Sequence, residues 1–446
     1  MTKAAGASLI LLASLLGASS AYAQARPNQV GTAGEAPVSY VVKPGDTLIG
    51  LGRAYLNKPG DYRVVQKTNR VQQPTRLRPG SQLNIDPNLL KSTPIAASLS
   101  AFTGPVFIET NGQRAPARVG MALTEGQVLI TGANAFATFE LEDASRVTLP
   151  SNTRVRIAKL RQVLINNAPQ RVFQLDQGRG TISATPTTNP AGRFEVRTPV
   201  SVSAVRGTEF RVGADGDKAQ TEVLKGAVGV DPGAVASANP PVPAGFGVAA
   251  TASGVSAPIK LLPAPKLGAG GQNQGDKTVH FAIEPLTGAA KYRLQLSRDA
   301  GFVDIFAEAT TKEPAADFGE VANGTYFVRL TALDGGGLEG FPADYSFDRD
   351  LDTLDAGAPA STSEGGRRKF LFRWSSAGDG VRVYRFQLFN EGGKVALVDQ
   401  PGLSEPQVTL TDLPPGAYAW RVVAVRFKNG VATEKVGALQ TLQIGK

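Results

Sequence analysis

The run Ala135-Phe136-Ala137-Thr138-Phe139-Glu140-Leu141, followed by Val147-Thr148-Leu149 and Arg154-Val155-Arg156-Ile157, sets the character of the chain. Each piece is short and rich in β-branched and aromatic residues, which suit a pleated, half-buried surface. The same texture extends outward. Gly104-Pro105-Val106-Phe107-Ile108 and Val128-Leu129-Ile130 precede the run, and residues 171–175, 180–182, 194–196, 208–212, 221–224 and 227–230 follow it. Strands about every eight to twelve residues, with turn signals between them, predict an all-β roll or sandwich, here over residues 98–250. The whole chain is expected to be mainly β and multidomain, because 446 residues exceed what one core supports.

Residues 38–91 read differently. Tyr40-Val41-Val42 is a short strand, Lys43-Pro44-Gly45 a turn, and Asp46 and Thr47 stand where a helix would be capped. Leu48, Leu51, Ala54 and Tyr55 share one helix face, a second helix is expected from Tyr62 to Asn69, and Gln82-Leu83-Asn84-Ile85 closes a small βααβ module. Gly45-Asp46-Thr47-Leu48, Asn69, and Gly80 with Leu83 and Ile85 resemble the LysM family. The resemblance implies binding of N-acetylglucosamine-containing glycan such as peptidoglycan. It places the groove between Gly45, Asp46, Thr47 and Leu48 on one side and Leu77, Arg78, Pro79 and Gly80 on the other. Capping by Asp46 and Thr47 and glycan contact are compatible readings.

Within residues 98–250, Val196-Arg197-Thr198-Pro199 followed by Val205-Arg206-Gly207-Thr208-Glu209-Phe210, then Lys225-Gly226-Ala227-Val228, resemble the periplasmic FecR domain. That resemblance implies a domain that receives a signal from an envelope protein. Arg206 and Glu209 are candidate partner-binding residues, although an arginine beside a Gly-permitted turn also serves to hold a corner.

Residues 251–277, rich in Pro, Gly and Ala, read as a linker. Beyond them the sequence repeats itself. Lys291-Tyr292-Arg293-Leu294-Gln295-Leu296 corresponds to Val383-Tyr384-Arg385-Phe386-Gln387-Leu388, and the tyrosines Tyr292 and Tyr326 are 34 residues apart, as are Tyr384 and Tyr418. Alternating apolar and polar residues predict two tandem β-sandwiches, at 278–350 and 364–446. They are similar to fibronectin type III or immunoglobulin-like domains, a likeness carried by Leu413-Pro414-Pro415-Gly416-Ala417-Tyr418.

Lys3, the apolar run 4–16 and Ala21-Tyr22-Ala23 have the layout of a secretory signal, so residues 1–23 are expected to be a signal peptide and 24–37 a tether. No later run reaches the roughly 18 apolar residues of a membrane span. There is no Cys, hence no disulfide framework, and the net charge of +9 reads as scattered solvating charge. With a single His and dispersed carboxylates, neither a catalytic residue nor a metal or cofactor site is expected. Nucleic acid is not an expected partner. The expectation is an exported, periplasmic, non-enzymatic adaptor that binds peptidoglycan and an unidentified envelope protein; the alternative is a signalling component acting on a membrane sensor or transporter through the FecR-like domain.

Overall fold

A computed structural model describes residues 37–233 and 240–445. The expected signal peptide and all but the last residue of the tether lie outside the described residues. Strands dominate the rest, and two α-helices occur among the described residues, both in the N-terminal module.

That module runs β1 (Val38–Val41), α1 (Leu48–Tyr55), α2 (Tyr62–Thr68) and β2 (Gln82–Ile85). The two strands are antiparallel, with Val38 opposite Ile85 and Val41 opposite Gln82. Thr47 caps α1, its Oγ1 accepting from the Gly50 amide at 2.9 Å. Asn69 ends α2 and clips it to β2: its Oδ1 accepts from the Asn84 amide at 2.7 Å, and its Nδ2 donates to the Asn84 carbonyl at 2.8 Å. Leu48, Leu51, Val65, Leu83 and Ile85 are buried between helices and strands, and their cluster continues into Val163 and Ile165 of the next domain. The strand Ser92–Pro94 pairs with residues 161–163, and the Leu164 amide donates to the Lys91 carbonyl at 3.1 Å. The module therefore shares a core with the β domain rather than hanging from it.

The β domain is built from two sheets that share the strand Ala168–Ser183. Its first part pairs with Arg154–Val163 in one sheet, and residues 178–183 pair with residues 209–214 in the other. The strand changes sheet at Gly178, where φ is +91° and a Cβ would lie 2.5 Å from Thr153 Oγ1 and 2.7 Å from Thr153 Cα. Only glycine meets both conditions. Phe139, Phe173, Phe210 and Val223 fill the space between the sheets.

The stretch 251–277, expected to be a linker, is mostly absorbed into the flanking domains. Gly254–Val255 and Ile259–Lys260 pair with Phe246–Thr251, and Asn273–Gln274 runs parallel to residues 348–349. Burial explains the difference: Leu261 is enclosed, and the Gln274 side chain, also buried, bonds Gly271, the His280 carbonyl and the His280 amide.

The remaining strands form two units of matching register. Leu294 faces Leu330 across antiparallel strands, and the residues 92 positions later, Phe386 and Val422, face each other in the second unit. Phe281, Leu294, Leu330 and Phe347 fill the first core, and Phe372, Phe386 and Trp420 the second. The Tyr418 hydroxyl donates to the Pro414 carbonyl at 2.8 Å and fixes the corner of its strand.

Candidate functional site

The two loops predicted to frame a glycan groove are brought together. The Leu48 amide donates to the Pro74 carbonyl and the Gly80 amide to the Val42 carbonyl, both at 2.8 Å. Gly45 and Gly80 hold φ of +88° and +81°, which fixes both turns. Arg78, Pro79 and Gly80 are exposed, Asp46, Thr47 and Leu77 are half-buried, and Leu48 is buried in the module core. Asp46 is not a helix cap. Its Oδ2 accepts from the Tyr40 hydroxyl at 2.8 Å and the Lys43 amide at 2.7 Å, pinning the first loop to β1. Burial, then the Asp46 carboxylate bonded to it, push the Tyr40 hydroxyl up to about 12.

Arg206 and Glu209 lie in the β domain, and among the described residues no hydrogen bond or ion pair joins them. Arg206 donates to the Pro190 carbonyl at 2.7 Å, and Glu209 sits opposite Ser183 and Lys225 in the strand Glu209–Asp215. Gly207, at φ +70°, packs where a Cβ would lie 2.8 Å from Pro186. The arginine thus ties the corner to a neighbouring loop.

A second constellation escaped the sequence reading. Arg211 and Glu222 are cross-strand partners on the face opposite the core residues Phe210 and Val223, where alternation points to solvent. The first sandwich covers them. Glu339, 2% exposed, accepts from Arg211 Nη1 at 2.9 Å, Arg293 Nη1 at 3.0 Å and Thr331 Oγ1 at 2.8 Å. Arg211 also donates to the carbonyls of Glu339 and Gly340, at 2.6 and 2.5 Å. Arg179 bonds Glu222 at 2.9 Å, and the Glu339 amide donates to the same Glu222 carboxylate at 3.2 Å. Glu308 takes the far side of Arg293 at 2.9 Å. Three guanidiniums and three carboxylates therefore balance, with Arg211, Glu222, Arg293 and Glu339 buried and Arg179 and Glu308 at the open edge, and unpaired charge in the buried part is costly. Burial alone would raise the Glu339 carboxyl, but Arg211, Arg293 and Arg179 overcome it and hold Glu339 well below the carboxylate range. Burial also pulls the Arg211 guanidinium below its ordinary value, with Glu339 and Glu222 opposing. Phe136 of the β domain packs on Phe302 and Ile305 of the sandwich nearby, so the junction is apolar as well as ionic.

Arg211 and Glu222 belong to a segment with identifiable relatives. Residues 127–229 match the FecR protein family. The FecR domain covers less than half of the chain, from the strand Val128–Thr131 into the strand Ala227–Pro232, and includes the corner at Arg206. No curated protein matches the sequence. Among solved structures, a protein assigned as an anti-sigma factor from Parabacteroides distasonis is 16% identical over 28% of this chain and 55% of its own, with a TM-score of 0.24. The chain thus spans about half of that protein. The FN1–FN3 domains of chicken CNTN1 are 12% identical over 57% of this chain and 98% of their own, with a TM-score of 0.20.

The single histidine, His280, meets Asp317 across two strands at 2.6 Å on an exposed edge. Among the described residues no group of three His, Cys, Asp or Glu is placed to hold a metal ion, and no helix is long and apolar enough to cross a membrane.

Proposed function

We propose that this chain is a signalling-related, non-enzymatic adaptor of the cell envelope, in which the FecR domain receives a protein partner and the N-terminal module holds glycan. The family match over residues 127–229 carries the signalling part of the reading. The paired loops around Gly45 and Gly80, in a βααβ module that resembles LysM, support the glycan part. The shared core with the module on one side and the Arg211–Glu339 junction on the other make the FecR domain the middle of a continuous body. A partner engaged there is held at a fixed position relative to the glycan.

Two measurements test the halves separately. A photo-reactive residue at exposed Arg206 in intact cells should capture an envelope protein reproducibly; capture of none, or of the same background as a probe at Lys312, refutes the signalling half. Purified sacculi should co-sediment the full chain and release it when Arg78→Ala and Pro79→Ala are combined. Equal co-sedimentation of both refutes the glycan half.

A further inference from the structure

The charge of the chain is concentrated rather than scattered. Between residues 38 and 91 there are nine Lys or Arg and three Asp or Glu, a net of +6 out of +9 for the whole sequence. Elsewhere most arginines are neutralised, as in Arg154–Glu109, Arg161–Glu125 and Arg385–Asp399. Inside the module, among the described residues, no ion pair forms. Arg63 and Lys67 are exposed at i and i+4 on one face of α2, and Arg70, at φ +53° just past its C-cap, is exposed on the turn that follows. Lys43, Arg76 and Arg78 are exposed on the two loops that meet beside α1. The three acids offset them only in part: Asp46 is committed to the Tyr40 hydroxyl and the Lys43 backbone amide, Asp86 to Asn88, and Asp61 lies two residues before Arg63 without forming an ion pair. Like charges at i and i+4 repel one another, and an anion that reaches them stabilises the arrangement.

We infer that the N-terminal module binds an anionic glycan, a polymer that repeats carboxylate or phosphate along its length. Arg63 and Lys67 on α2, Arg70 on the turn after it, and the loop cations Lys43, Arg76 and Arg78 contact the charges, while the loop backbones contact the sugars. Charge complementarity selects a polyanion. The module selects a glycan over a lipid surface, because its helices have eight and seven residues and no exposed aromatic wedge, too little to seat in a bilayer interface. The inference rests on reading the module as glycan-binding and adds the class of glycan.

The test uses the full chain on immobilised polygalacturonate as the anionic probe, with chitopentaose as the neutral one. The chain should bind polygalacturonate, and binding should fade as salt rises from about 50 to about 500 mM. Arg63→Gln, Lys67→Gln and Arg70→Gln together should weaken it about tenfold. The control Lys260→Gln, Lys277→Gln and Lys312→Gln removes the same charge from exposed sites outside the module and should change nothing. Equal weakening by both triples overturns the inference, since net charge alone would then explain binding. Retention of chitopentaose without polygalacturonate also overturns it while sparing the neutral-glycan reading. Binding of polygalacturonate without chitopentaose supports it and refutes the N-acetylglucosamine reading of the loops. Tighter binding to duplex DNA or to phosphatidylglycerol vesicles than to polygalacturonate overturns the assignment to glycan.

Discussion

Replacing Glu339 by alanine removes the carboxylate that pairs both with Arg211 of the FecR domain and with Arg293 of the first sandwich. It leaves Arg211, 4% exposed, with only two carbonyls and a distant Glu222 at 3.9 Å, and leaves Arg293, 7% exposed, with Glu308 alone. Breaking a buried pair in this way costs about 3–5 kcal/mol, because the surviving charge stays desolvated. For a cooperative unit of roughly 250 residues that is a fall in Tm of about 6–20 °C. The chain supplies its own control. Both tryptophans, Trp374 and Trp420, lie in the core of the second sandwich. Far-UV circular dichroism or calorimetry should therefore show the main transition moving down, while tryptophan fluorescence reports an unmoved second sandwich. Glu284→Ala, at an exposed pair with Lys266, should shift the same transition by no more than about 1 kcal/mol. The sign of the pH dependence also follows. Unfolded Glu339 takes a proton near its ordinary value of about 4.5, and the folded carboxylate is held below that. Its contribution is present above about pH 4.5 and is lost as pH falls through the folded value. Glu339→Gln should therefore be less acid-sensitive than the natural chain. A Glu339→Ala shift no larger than that of Glu284→Ala, or a tryptophan transition that moves with the main one, would refute this account of the junction.

Gly178→Ala forces a side chain into φ +91° and against Thr153, so it should destabilise the β domain by about 3 kcal/mol or more in denaturant melts; Gly216→Ala, at φ +58° with open space around it, should cost about 1 kcal/mol. Asn69→Ala removes the clip between α2 and β2 and should lower the protection of the β2 amides in hydrogen exchange by about 2 kcal/mol, without changing the far sandwich. Tyr40 should ionise late, near pH 12, in a spectrophotometric titration, and Asp46→Asn should bring it down. Because the folded value is raised, the stability Tyr40 contributes is present below about pH 10 and is lost as pH rises toward 12.

Much of this architecture was legible in the sequence because it depends on neighbours in the chain. Alternation of apolar and polar residues marked the strands, and the equal spacing of Tyr292 to Tyr326 and Tyr384 to Tyr418 marked two units whose strand registers coincide. The turn residues around Gly45 and Gly80 marked loops that the structure brings side by side. At Asp46 a helix cap and a turn clasp call for the same residue type, and only the approach of the Tyr40 hydroxyl makes it the clasp. The concentration of charge in residues 38–91 was countable in the sequence, but averaging over the whole chain hid it.

The tertiary structure alone decided what covers the strands. Alternation says that Arg211 and Glu222 lie opposite the core, and solvent is the default on that side. Only the packing of the sandwich turns them into a buried junction with Arg293 and Glu339. In the same way the composition of residues 251–277 announces flexibility, yet burial of Leu261 and the bonds of Gln274 hold the segment in place. The physical reason is common to both: a residue's periodicity fixes the direction of its side chain, whereas the dielectric it meets is set by whatever packs against it, near in sequence, as His280 is to Gln274, or 128 residues away, as Glu339 is from Arg211.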